Sequence, residues 1–149
     1  MIDLLRRLFA PDPAPFPDPD ARVALAALLV RVAKSDGTYL PAEIARIDRI
    51  LVARYGLNPV EAMRLRAQAE DVERDAPDTV RFTRAIKAVV PWEDRLGVVE
   101  ALWSVVIADG VRGDDEAAIL RTVAPLLGVS DPDSALARHR AETALAARG

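Results

Sequence analysis

Apolar residues recur at helical spacing along nearly the whole chain, and the runs are separated by Gly, Pro and Asp-Gly breaks. Residues 1–10 read as a short amphipathic helix, with Ile2, Leu5 and Phe9 near one face and Leu4 and Leu8 beside it. Alternate prolines from Pro11 to Pro19 fix φ and remove backbone donors, which predicts an extended tether. Asp18 and Pro19 are suited to cap and open the next helix, which carries Leu25, Leu28, Leu29 and Val32 and stops at Asp36-Gly37. Another helix should begin at Pro41, face Ile44, Ile47, Ile50 and Leu51 inward, and end at Tyr55-Gly56. Asn58-Pro59 restarts the chain as a helix containing Met63 and Leu65, which Ala76-Pro77 breaks. The next runs through Val80, Phe82, Ile86 and Val89. Pro91 opens a helix with Leu96, Val99, Leu102, Trp103 and Val106 as its stripe. One from about Asp114 through Ile119, Leu120 and Val123 should kink or end at Pro125, and Gly128 stops it. Ser130 then caps a last helix, with Asp133 in the capping-box position.

No stretch alternates as a strand does, so the expected fold is all-α, a compact bundle of about seven to eight helices built from two related helix-turn-helix halves. Asp36, Gly37 and Glu43 align with Asp109, Gly110 and Glu116, and Leu29 and Val32 align with Leu102 and Val105. After a one-residue deletion, Tyr55-Gly56-Leu57 aligns with Leu127-Gly128-Val129, and the cap Asn58 with Ser130. Two amphipathic hairpins bury their faces most simply against each other about a pseudo-twofold axis, which would bring the two Asp-Gly turns together. The expected organisation is residues 1–19 as helix and tether, and 20–149 as one helical domain.

Composition narrows the function. The chain has 149 residues, 51% of them hydrophobic and 29% charged, enough apolar material for a core. A net charge of −3 leaves no basic footprint for nucleic acid. There is no Cys, which excludes disulfides and thiol chemistry, and the single His139 lies among Arg138, Arg140 and Glu142 on what reads as a solvated face. The longest apolar run, Val23 to Val30, is too short to span a bilayer, and residues 1–10 lack a signal-peptide core, so a cytoplasmic location is expected. Two basic residues in the first helix are too few for stable membrane attachment, so docking on the domain itself is its default role. Trp103 reads as core and Trp92 as partly exposed, while the acidic run Glu70 to Asp78 reads as a solvated helix end and loop.

The duplicated Asp-Gly-x5-Glu turns are the one candidate site, through Asp36, Glu43, Asp109 and Glu116. Asp before Gly binds turn amides, and Glu in a first helical turn gains roughly 0.3–1 kcal/mol from the macrodipole. Hard cations such as Ca²⁺ or Mg²⁺ take the same carboxylate oxygens. An EF-hand is rejected, because its first and third ligand positions would fall on Val32 and Lys34, and on Val105 and Ile107. Like charges about 4 Å apart repel by about 4 kcal/mol at an effective dielectric of 20, so converging carboxylates need a cation or an arginine. Arg46, Arg95 and Arg121 are the candidate protein partners.

The pattern Val32-Ala33-Lys34-Ser35-Asp36-Gly37 with Glu43, followed by Ala101 to Gly110 with Glu116, resembles TerB-like domains, named for tellurite resistance. Arg81-Phe82-Thr83 and Arg95 resemble one bacterial subgroup of these domains, and the likeness covers roughly residues 20–130. The resemblance implies an all-helical, two-half fold without enzymatic activity, acting in stress-response complexes near the membrane. It also implies divalent-cation binding at Asp36, Glu43, Asp109 and Glu116. Pro125 inside a helix and Leu40 at a helix entry, where a polar cap is usual, depart from the regular pattern. Three functions stand: a stress-associated module binding a divalent cation or a basic partner surface, a metal-free adaptor using helical surfaces and the tethered helix, and a metal-dependent hydrolase. The last is disfavoured because no His or nucleophile lies near the turns in sequence.

Overall fold

A computed structural model describes residues 20–108 and 114–148, and for 114–116 and 148 it describes the backbone only. Its helices are α1 (Ala21–Ala33), α2 (Pro41–Tyr55), α3 (Pro59–Asp75), α4 (Val80–Val89), α5 (Trp92–Val106), α6 (Asp114–Leu126) and α7 (Asp131–Arg148). The described residues are all-α, as expected, and the helix read over residues 1–10 lies outside them. The first cap is Asp20 rather than Asp18: its carboxylate accepts from Val23 N at 3.0 Å.

α1 is the centre of the fold. It packs against α3, α4, α5, α2 and α6, so the stripe expected on one face becomes burial on nearly every face from Val23 to Ala33. A helix apolar all round has no other stable place in a domain. α3 presents small residues inward, Ala62 and Ala69, which let its backbone lie close to α1. Its Met63, read as one of the apolar positions, points outward and is 51% exposed.

The duplication is visible in the packing. The α1–α3 and α5–α7 contacts are the equivalent, most extensive pairs of each half; α1 touches α5 directly, and α2–α5 is mirrored by α1–α6. Both middle helices stop on a left-handed glycine, Gly56 (φ 63°) and Gly128 (φ 78°). In both, the following amide reaches back over the end: Leu57 N to Val52 O at 3.3 Å, and Val129 N to Ala124 O at 2.9 Å. Pro125 sits in the last turn of α6, which ends one residue later at Leu126, so the proline costs only a bond near the end of the helix. Both next helices are side-chain capped. Asn58 accepts from Glu61 N at 2.8 Å while Glu61 accepts from Asn58 N, and Ser130 accepts from Asp133 N at 3.3 Å.

Gly97 is the sixth residue of α5 and has no positive φ. A Cβ there would meet only Arg54 Nη1 at 3.7 Å, an ordinary contact. Gly97→Ala is expected to raise stability by roughly 0.5–1 kcal/mol, read from urea unfolding, because the native backbone already suits alanine.

Candidate functional site

The first acidic turn is built by local bonds. α1 closes with Lys34 N to Val30 O and Ser35 N to Val32 O, and Gly37 takes φ 86° to reverse the chain. Asp36 is exposed, and its Oδ1 accepts from Thr38 N at 2.9 Å and Thr38 Oγ1 at 2.8 Å. That answers how a carboxylate is tolerated past a helix C-terminus: the turn's own donors solvate it.

Glu43 is the opposite case. It is 0% exposed, and its Oε1 accepts from Leu40 N at 2.9 Å. Leu40 has no side-chain acceptor, so the missing polar cap is replaced from the other side: the third residue of α2 reaches back to bind the cap amide. The two carboxylates of one turn thus occupy different media, one in water and one in the core. Between them Tyr39 ties the turn to α3, donating to Glu70 Oε2 at 2.8 Å. Arg66 joins Glu70 at 3.1 Å to Asp48 at 2.6 Å, so the chain Tyr39–Glu70–Arg66–Asp48 clamps the turn to α3 and α2. Burial, and then the Glu70 carboxylate, push the Tyr39 phenol well above its ordinary range.

At the second turn the end of α5 repeats the first: Ile107 N binds Trp103 O at 3.1 Å and Ala108 N binds Val105 O at 3.2 Å. Asp109 and the side chain of Glu116 lie outside the described residues. Among the described residues, no three His, Cys, Asp or Glu side chains gather closely enough to hold a metal. Of the arginines expected to neutralise the turns, Arg95 is employed elsewhere. It donates to Val90 O at 3.0 Å and Lys87 O at 3.3 Å, capping the last carbonyls of α4. Arg121 is exposed, and Arg46 lies half-buried on α2.

The acidic run Glu70 to Asp78 is not a purely solvated end. Glu73 is 8% exposed and receives Arg31 Nη2 at 3.1 Å and Lys34 Nζ at 2.7 Å. Arg31 also donates to Glu73 O and Ala76 O, both at 2.9 Å, and to Thr79 Oγ1, while its guanidinium lies 5.2 Å from the Phe82 ring centroid. The signal was present in the sequence: Arg31 and Lys34 lie one turn apart directly after the apolar run Val23 to Val30, and cations at the end of a buried helix need a counter-charge. Trp103 is buried as expected, donating to Ser134 Oγ at 3.1 Å under the guanidinium of Arg138. Trp92 is half exposed and donates to Gly128 O, and His139 is exposed.

No described helix is long and apolar enough to cross a membrane. Residues 22–139 match the family model described as Tellurite resistance protein TerB. No curated protein and no solved structure gives a match.

Proposed function

The chain belongs to the TerB family, and from that premise we propose that it is a non-enzymatic, cytoplasmic stress-response module of the tellurite-resistance type, binding a divalent cation or a basic partner surface through its paired acidic turns. One observation carries the reading: the halves that bear the turns are packed as equivalents, with α1 against α5 at the centre, so the two turns leave the same pair of helices. Hard carboxylate oxygens suit Ca²⁺ or Mg²⁺. Asp36 and Glu43 would have to supply one half of such a set, the buried Glu43 by turning its carboxylate out of the core, and Asp109 and Glu116 the other. A cation there would offset the mutual repulsion of the carboxylates and fix the turns relative to each other.

Thermal melting with and without millimolar Ca²⁺ or Mg²⁺ tests this. A ligand at a hundredfold excess over its Kd stabilises by about 2.7 kcal/mol, which raises Tm by roughly 5–10 °C for a chain of this size. The double substitution Asp36→Asn, Asp109→Asn is expected to abolish the rise. No shift with either ion would instead favour the second reading, a metal-independent adaptor that holds a partner on its helical surfaces.

A further inference from the structure

We propose that the groove between α2, α5 and α7 binds a medium-chain fatty acid, with the carboxylate at Arg54 and the chain over Ile50, Ala101 and Leu145. The groove has a volume of about 380 Å³ and follows α2 from Arg46 to Arg54 and α5 from Gly97 to its cap Ile107. At about 1.5 Å per residue these stretches are about 12 and 15 Å long. Ile50, Ala101 and Leu145 are each only half-buried by the seven helices, so apolar burial there is still to be gained.

Three observations select this ligand. The first is charge. In a chain of net charge −3, the lining holds three arginines, Arg46, Arg49 and Arg54, against one acid, Glu100. Arg49 and Arg54 are exposed and form no salt bridge among the described residues, whereas Arg31, Arg66 and Arg138 each hold a carboxylate. Arg49 Nε reaches only Ala45 O, at 3.4 Å. Arg54 neighbours the Tyr55 phenol, but a guanidinium has five donors and takes a carboxylate with two of them at once. The stems of these arginines are apolar and can lie along an alkyl chain. The second is size. Small-molecule sites run from about 300 to 1,000 Å³, and this groove falls within that range. A helix of about 10 Å diameter and the groove's length fills roughly 1,000 Å³, so a partner helix would seat only one row of side chains, whereas a single alkyl chain lies between the walls. The third is Gly97. It is exposed, its φ is not positive and no close neighbour forbids a Cβ, so the fold itself does not require glycine there. It lies where the groove opens into a second hollow of about 510 Å³, which shares Arg54, Gly97 and Glu100 with it. Arg54 Nη1 is 3.7 Å from the point a Cβ on residue 97 would occupy. The missing side chain thus leaves open the space beside the guanidinium that a carboxylate needs.

No described residue of the acidic turns lines the groove, so this proposal is independent of any cation held there. Calorimetric titration of the full chain with sodium dodecanoate, kept below its micelle concentration, tests it. One saturable site is expected, with decanoate binding roughly tenfold more weakly, because each buried methylene is worth about a threefold to fourfold gain. Dodecyltrimethylammonium, the same chain with a cationic head, should bind weaker than dodecanoate by roughly tenfold or more. That order is diagnostic, since unspecific attraction to a chain of net charge −3 would favour the cation. Arg54→Gln should weaken dodecanoate binding by roughly tenfold. Gly97→Leu should abolish it by filling the space beside Arg54, while the urea unfolding midpoint stays at or above that of the unmodified chain, because leucine favours an exposed helix position. Absence of a saturable site, equal binding of the cationic surfactant, or undiminished binding by the Gly97→Leu chain overturns the proposal.

Discussion

Arg31→Ala is expected to lower the unfolding free energy by roughly 2–4 kcal/mol, measured by urea unfolding followed by circular dichroism. The physical cause is the position of Glu73. Its side chain is 10% exposed, and that of Arg31 is 17% exposed, so neither charge recovers full hydration if its partner is removed. Lys34 remains with Glu73 after the substitution, which keeps the loss below that of a fully orphaned charge. The carbonyls of Glu73 and Ala76 lose their donor together, and these fasten the α3–α4 connection to the central helix. Arg31→Lys should rescue little, since an ammonium cannot reach two carbonyls, a carboxylate and a hydroxyl as a planar fork does. Arg74→Ala is the contrasting case. It breaks an ion pair with Asp71 in which both side chains are largely exposed, and stability should not change measurably.

Phe82→Ala should cost about 3–5 kcal/mol, the largest single loss expected from the core. Phe82 is 0% exposed on α4, which packs on α1 and α6 but has no counterpart in the duplicated pattern. A loss of that size would show that α4 is integral to the domain, because a loosely attached helix would yield with little effect on global unfolding. Phe82→Leu keeps most of the volume and should cost less than about 1.5 kcal/mol. Val89→Ala, at a site 69% exposed on the same helix, should have almost no effect. Because the Arg31 guanidinium lies on the Phe82 ring, the two alanine substitutions should not add, and their double-mutant cycle measures the coupling.

The candidate site was partly legible. The Asp36 turn and its Thr38 donors follow from Asp-Gly chemistry within three residues. The burial of Glu43 did not follow, since its place in the first turn of α2 is equally compatible with a solvated carboxylate interacting with the helix dipole. Leu40 offers no side-chain cap, and which acceptor its amide takes instead, the Glu43 carboxylate, is not marked in the sequence. Arg95, three residues after Trp92 at the start of α5, is by sequence a candidate partner for an acidic turn, but its guanidinium donates to the carbonyls of Val90 and Lys87 at the end of α4.

The sequence alone determined the helices, their glycine stops, the caps at Asn58 and Ser130, and the division into two related halves. Each of these depends on hydrogen bonds and side-chain spacing within about one or two turns of chain, where the local residues suffice. Only the tertiary structure decided that α1 lies at the centre and that Glu43 and Glu73 are buried. Arg31 and Glu73 are 42 residues apart in the chain, and whether such charges meet in the core or remain in water depends on which helix faces are pressed together. That choice is made by the sum of apolar burial over the whole bundle, to which no single segment holds the answer.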